Sequence, residues 1–477
     1  MQNSIQMAVR GGEVVTSAGR SHADIGITDG KVVQIGGTVG SAEIEIDAVG
    51  KIVIPGGVDM HVHFTPAYLP KEAREGATEE GDADSSMRVM GHTDDFESGS
   101  RAAAAGGITT VGNMTFPKVG ESPVDALTRV ATEDTARSVV DYVQHPVIRE
   151  PSLTSPDDLV ALAESGYRSM KLFMNLESFE AGVGHYLALM KVAGEHNVLT
   201  MIHCEDACIV SFLGRSLVRE GRGHASNYPL SRPIYAEAVA VARAIAWAEA
   251  TKAPIYVVHL SSNAALEITT KAKNRGIAVY VETRPIYLFF TEADFQGPEA
   301  GLYVGNPPLR TDYDVRTIWA GLASGSIDTC CTDHAPRNRD EKLDPSRDVT
   351  TVSPGMPDLD TLMPLLYSEG VLKGKLSLER FVDVTSTNAA KLFGIYPQKG
   401  TIAVGSDADM VVWNPEDTRE FRAIDLFSRA DFSLYEGWKI TGWPDKTIRR
   451  GQVIYDGRHI TVDGGGQEVR MGPAGML

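Results

Sequence analysis

From Gly57 to about Asn388, short β-branched runs alternate with longer Ala- and Leu-rich amphipathic stretches, the pattern of strand-plus-helix units repeated around a parallel sheet. Eight runs read as strands: Val58–Phe64, Ile108–Met114, Val139–Ile148, Ser169–Met174, Val198–Cys204, Ile255–Ser261, Ile277–Thr283 and Ile327–Thr332. Eight such units over roughly 330 residues fit an α/β fold of the (β/α)8 TIM-barrel type better than an open doubly wound sheet, and no Gly-x-Gly-x-x-Gly turn follows the first strand. Residues 1–55 have a different texture, with short strands broken at Asp29-Gly30, Gly36-Gly37 and Gly40. That texture returns between Gly400 and Trp413. Neither end could bury much surface alone, so the two are expected to pair into a small discontinuous β-sandwich. The predicted division is residues 1–56 for the first part of the sandwich, 57–397 for the barrel and 398–477 for the second part with a C-terminal arm. The Gly-rich tail after Asp463, with Pro473, is expected to be that arm, or disordered.

Between the first two strands lies a long polar stretch, Thr65 to Glu97, which includes Glu79-Glu80-Gly81-Asp82-Ala83-Asp84. A segment of this length leaving the end of a barrel strand predicts a lid, against the plainer reading of a solvated insertion.

Composition narrows the function classes. A chain of 477 residues with 43% hydrophobic content has ample material for a large core. A net charge of −18 without Lys/Arg clusters argues against a nucleic-acid partner. Cys330 and Cys331 are adjacent in an apolar run and Cys204 and Cys208 flank a strand end, which is no disulfide framework. No leader pattern is present and no apolar run approaches the roughly 18 residues of a membrane span, so a cytoplasmic protein without a membrane partner is expected.

The candidate chemistry sits at the strand ends. His61 and His63, Lys171, His203, His259 and Asp333 fall at the ends of predicted strands one, four, five, six and eight. Active sites of (β/α)8 barrels lie on that rim. Residues i and i+2 of a strand share a face, so His61 and His63 can reach one ion together. A single strand-end histidine is more often a satisfied buried residue, but four of them on one rim with a carboxylate suit zinc and related divalent ions. Lys171 is the unusual member, since an ammonium repels a dication. It is either a snorkelling lysine or an amine that has taken up carbon dioxide as a carbamate and become an anionic bridging ligand.

Taken together these residues resemble the cyclic amidohydrolases, the branch of the amidohydrolase superfamily that includes dihydropyrimidinases, hydantoinases, allantoinases and dihydroorotases. The similarity runs through Pro55-Gly-Gly-Val-Asp-Met-His61-Val-His63, Gly106-Gly-Ile-Thr-Thr110, Lys171-Leu-Phe-Met174, His203-Cys-Glu205, His259-Leu-Ser261, Pro307-Pro-Leu-Arg310, Thr332-Asp333-His-Ala-Pro336 and the segment from Gly400 to Asp409. The segment Leu392-Phe-Gly-Ile-Tyr-Pro-Gln398-Lys-Gly400 is similar to the hydantoinase branch in particular. The resemblance implies two divalent ions, zinc foremost: His61, His63 and Asp333 on the more buried one, His203 and His259 on the more exposed one, and carboxylated Lys171 bridging them. It also implies that Asp333 is the general base of a ring-opening hydrolysis that gives an N-carbamoyl amino acid or an analogue, in a homodimer or homotetramer acting on a small cyclic amide or ureide.

The departures fall in substrate recognition. Leu176 stands where hydantoinases usually carry a tyrosine, five residues after the bridging lysine, with Tyr186 or Tyr68 as conceivable replacements. Asn306 stands where a serine is common, and Pro354-Gly355 where an Asn-Gly pair usually presents backbone groups to the ring, although proline has no N–H to offer. These three positions are the candidate substrate contacts. Arg74, Arg88 and Arg337 could meet a carboxylate-bearing substrate, against the plainer reading of solvated loop charges. The departures keep an allantoinase or another cyclic ureide or imide hydrolase open as the alternative. A non-catalytic scaffold homologue is the remote one, because all six candidate ligand positions are intact.

Overall fold

The computed structural model describes residues 5–65, 67–70, 87–176, 178–475 and 477. Seven strands precede the barrel: β1 Ile5–Arg10, β2 Glu13–Thr16, β3 Gly19–His22, β4 Ile25–Thr28, β5 Lys31–Ile35, β6 Ala42–Asp47 and β7 Ile52–Pro55. The barrel strands follow as β8 Gly57–Val62, β11 Ile108–Thr115, β12 Asp141–Pro146, β13 Ser169–Phe173, β14 Leu199–His203, β15 Ile255–Val257, β16 Val279–Thr283 and β17 Thr329–Cys330. Between β8 and β11, β9 Ala67–Pro70 and β10 Met87–Met90 form an antiparallel pair. Three more strands, β18 Met410–Glu420, β19 Lys439–Arg449 and β20 Gln452–Tyr455, complete the set.

Parallel ladders run β12-β11-β8 and β13-β14-β15-β16-β17. The two halves meet through single parallel bridges, Val147 to Lys171 and Val62 to His334, so the eight strands form a closed ring. Asp59 reinforces the closure. One of its oxygens accepts the His61 N–H and the other the Thr332 N–H, each at 3.0 Å, which ties the first barrel strand to the last. Val58, Met60, Met114, Val143, Leu199, Met201, Tyr256 and Val258 fill the interior together with Ala389, Ala390 and Phe393. The Ala-rich stretches pack on the outside. In the helix Ile234–Thr251, Ala236, Ala240, Ala244 and Ala248 recur at four-residue spacing and all are buried, so small side chains let that helix approach its neighbours closely.

The chain ends share one sheet. β7 pairs with β18 antiparallel, Ile54 opposite Val411, within a six-stranded sheet ordered β20-β19-β18-β7-β2-β3. A four-stranded sheet, β5-β4-β1-β6, faces it across a core of Met7, Val9, Ile25, Ile27, Val53, Met410, Val412 and Ile448.

Two expectations are corrected. The tail after Asp463 is not disordered among its described residues, with the Tyr142 N–H donating to the Gln467 carbonyl and the Val469 N–H donating back to Tyr142, while Val469 and Met471 are buried. Lys171 does not snorkel, because it is fully buried inside the barrel. Of the stretch Thr65 to Glu97, residues 71–86, including Arg74 and the acidic run from Glu79 to Asp84, lie outside the described residues, as do the side chains of Tyr68 and Arg88. Among the described residues no helix is long and apolar enough to cross a membrane.

Candidate active site

The six strand-end residues gather at the C-terminal rim. Each histidine leaves a buried strand end, and burial pulls their pKa values down, His61 and His259 well below the ordinary range and His63 to about 4. They are therefore neutral imidazoles, the form that ligates metal. Asp333 Oδ1 lies 3.2 Å from His61 Nε2 and 3.0 Å from His63 Nε2, and these three side chains converge tightly enough to hold one ion. Lys171 Nζ is 3.4 Å from His61 Nε2. The His203 and His259 rings meet edge to face at 4.5 Å, and the His259 ring stacks 5.6 Å from that of His61. His259 and Asp333 have φ of +40° and +50°, uncommon left-handed conformations that turn the chain at the ends of β15 and β17.

Buried carboxylates orient these rings. Glu282, at the end of β16, accepts the His61 Nδ1–H at 2.7 Å and the His259 N–H at 3.0 Å with one oxygen. That contact fixes the His61 tautomer and leaves Nε2 facing Asp333 and Lys171. His203 Nε2 is 2.8 Å from Glu205, which also receives Arg232 Nη1 at 2.7 Å. Burial works against the Asp333 carboxylate, but Arg284, whose Nη1 is 2.5 Å from Oδ2, and the neighbouring imidazoles outweigh it and hold the pKa well below the usual range.

The residues fit a divalent metal. Neutral imidazoles face an ionised carboxylate, and His63 Nδ1 and His259 Nδ1 are buried with no hydrogen-bond partner among the described residues. Burial lowers Lys171 to about 8, and no carboxylate lies within ion-pair distance of it among the described residues.

A cavity of about 200 Å³ opens from this rim. Asn306, Pro354 and Gly355 line it, as the departures from the family pattern suggested, and so does Leu176. Gly355 is sterically required, since its φ is +118° and a Cβ there would stand 2.1 Å from the Ala335 carbonyl oxygen. Behind this wall the buried Lys342 Nζ donates to the carbonyls of Val304 at 2.8 Å and Gly355 at 2.7 Å, joining the segments that carry Asn306 and Gly355. Tyr186 does not stand in for the missing tyrosine. It is buried away from the cavity, with its hydroxyl between the carbonyls of Ile148 and Arg149 at 3.3 and 3.2 Å. Arg337 is no solvated charge; it is buried and lines the cavity.

Several residues of the site escaped the sequence reading. Glu282 closes an apolar run just as Asp333 does, and Glu205 shares a strand face with His203, so both carried a usable signal. His92, Arg149, Asn175 and Arg284 also line the cavity and carried none.

Known proteins with this arrangement are consistent among themselves. The model of the Amidohydrolase family matches residues 52–454. The D-hydantoinase of Ralstonia pickettii is 34% identical over 458 residues, 95% of each chain. Among solved structures, the dihydropyrimidinase of Brevibacillus agri NCHU1002 superposes with a TM-score of 0.89 at 31% identity, over 99% of this chain and 100% of that one. The L-hydantoinase (dihydropyrimidinase) of Arthrobacter aurescens gives 0.83 at 29% identity, over 96% and 98%. With a closed eight-stranded barrel, a histidine and aspartate cluster on its C-terminal rim and a match to the family model over most of its length, the chain belongs to the amidohydrolase family.

Proposed function

We propose that this chain is a metal-dependent cyclic amidohydrolase that opens a ring amide C–N bond in the manner of a hydantoinase or dihydropyrimidinase, giving an N-carbamoyl amino acid or an analogue. The observation that carries this reading is the convergence of His61, His63 and Asp333 in a chain similar along nearly its whole length to a D-hydantoinase. His61, His63 and Asp333 would hold one divalent ion, zinc by ligand type, and His203 and His259 a second, with Lys171 as a carbamate between them. Bound there, the ions supply Lewis acidity and make water a nucleophile near neutral pH.

The chain's own groups do the rest. Asp333, ionised and held at Oδ2 by Arg284, takes a proton from the attacking water and delivers it to the ring nitrogen as the C–N bond breaks. One C–O bond forms, one C–N bond breaks, and a water is consumed. Asn306 and the Gly355 segment border the ring, and Phe116 and Phe173 supply an apolar wall. The division into a barrel at 57–397 and a sandwich from 1–56 and 398–477, a homodimer or homotetramer, and a cytoplasmic location belong to the same reading.

Leu176 at the cavity wall favours a second reading, an allantoinase or another cyclic ureide or imide hydrolase, because an apolar side chain cannot donate to an oxyanion. A panel of dihydrouracil, 5-substituted hydantoins, allantoin, dihydroorotate and succinimide, tested on zinc-loaded protein, separates the two. Ring opening of hydantoins or dihydrouracil is expected; turnover confined to allantoin or to the imide would replace the first reading with the second.

A further inference from the structure

The charged residues around the cavity do not balance. Arg149, Arg284 and Arg337 line it, whereas Asp333 is its one lining carboxylate residue among those described. Arg284 is engaged by Asp333 at 2.5 Å. Arg337 donates to the Gly91 carbonyl and reaches Glu341 at 3.2 Å. Arg149 has no carboxylate within ion-pair distance among the described residues. Glu150, its chain neighbour, offsets its charge only in part, without an ion pair, and accepts the Gly120 N–H at 3.2 Å.

The position of Arg149 is built rather than incidental. It lies three residues beyond the end of β12, and the buried Tyr186 hydroxyl lies between its carbonyl and that of Ile148. The Ile148 N–H donates to the Lys171 carbonyl at 2.9 Å, so the same short segment is anchored to the strand that carries the candidate bridging lysine. Asn175, on the neighbouring loop after β13, lines the same cavity. A neutral ring and an apolar substituent would leave the half-buried Arg149 guanidinium with no paired anion and only the charge of Glu150 to set against its burial, which is costly. A substrate that brings its own negative charge would remove that cost and would be selected over one that does not.

We propose that the ring substrate of this chain carries a carboxylate on its substituent, and that Arg149 is the residue that selects it. The proposal rests on the ring-opening reading, and it concerns the substrate class of the same site. The reaction is unchanged, with the carboxylate remote from the C–N bond that breaks.

The test uses matched pairs, 5-carboxymethylhydantoin against 5-carbamoylmethylhydantoin and the corresponding ethyl pair, in which the acid and its neutral amide differ little in shape. With zinc-loaded full-length protein, both kcat/KM and calorimetric binding are expected to favour the acids by about 10- to 100-fold, the scale of a charge-assisted hydrogen bond. The preference is expected to weaken with added salt. In Arg149→Met the ratio of acid to amide should fall to about one, and Arg149→Lys should retain part of it. A native protein that binds the amides as well as the acids, or an Arg149→Met variant that keeps the native ratio, would overturn the proposal. Binding decides the matter even where neither ring is opened, an outcome that would count against the ring-opening reading instead.

Discussion

Glu282 sets the orientation of two candidate ligands with a single oxygen, because it takes the ring N–H of His61 and the backbone N–H of His259. Carboxylates in this position raise the basicity of a ligand histidine and lock its tautomer. Replacing Glu282 by Gln is therefore expected to weaken metal affinity by about 10- to 100-fold with the fold retained, as read by chelator competition and circular dichroism. Native affinity in that variant would remove Glu282 from the site's machinery. A second buried acid links the residue scale to stability. Asp360 accepts the Phe427 N–H at 2.8 Å through Oδ1, its Oδ2 is buried without a partner, and burial raises its pKa from an ordinary 3.8 to about 6. Between these values the folded state binds more proton than the unfolded one, so stability falls as pH rises from about 4 through about 6. The gap corresponds to roughly 3 kcal/mol. Urea unfolding at pH 4 and pH 7 should show the parent losing stability relative to Asp360→Asn as pH rises; equal pH dependence in both would contradict the assignment. At this scale the strand-end histidines, Lys171 and Asp333 were legible because apolar runs ending in ligand-type side chains stand out along the chain. Arg149 and Arg284 were not, because an arginine after a strand has the same local pattern whether it faces solvent or a cavity. Arg337 shows the hazard directly: a polar loop context suggested solvation, and tertiary packing buried it.

At the scale of elements, all eight expected barrel strands are present, and the differences lie in their lengths. Ile255–Ser261 contracts to the three residues of β15 and Ile327–Thr332 to the two of β17. Both ladders stop close to where His259 and Asp333 adopt positive φ, a conformation incompatible with continuing a strand, and composition carries no sign of that turn. The tail reads as an arm or as disorder for a related reason. Its glycines suggested disorder, but the spacing of Val469 and Met471 puts both into the core beside β12. The cavity wall depends on an element contact that no local pattern announces, the buried Lys342 Nζ bonded to the carbonyls of Val304, Ser353 and Gly355. Lys342→Met would leave the Ser353 and Gly355 carbonyls without this donor, at about 1–3 kcal/mol for each unsatisfied group, and would loosen the Asn306 and Gly355 segments, which stay joined by the Gly355 N–H donating to the Val304 carbonyl at 3.1 Å. Steady-state kinetics should show KM raised more than kcat is lowered; a change in kcat alone would place the effect at the chemistry rather than at the wall.

At the scale of the whole molecule, the buried Lys399, together with Arg450, ties the sheet that joins residues from both chain ends to Asp141 of the barrel. Lys399 Nζ lies 2.5 Å from Asp141 at the start of β12, 2.7 Å from Asp409 and 3.0 Å from Asp407, all of them buried. Removing the ammonium leaves Asp409 without a cation, while Asp141 keeps Arg450 and Asp407 keeps Lys31, so Lys399→Met is expected to lower unfolding stability by about 3–5 kcal/mol without altering the substrate preference, as measured by chemical denaturation and by competition between two ring substrates. A loss below about 1 kcal/mol would mean that the cluster contributes little to joining the two parts. The central claim is that one rim of this barrel holds divalent metal and uses it to open a cyclic amide. The most direct measurement is formation of the N-carbamoyl product from 5-substituted hydantoins, carboxylate-bearing ones included, by protein as loaded with zinc, after chelation, and after zinc is restored. Product that appears, vanishes with the metal and returns with it is the predicted result. Turnover that survives complete chelation, or a zinc-loaded protein that opens none of these rings, would contradict it.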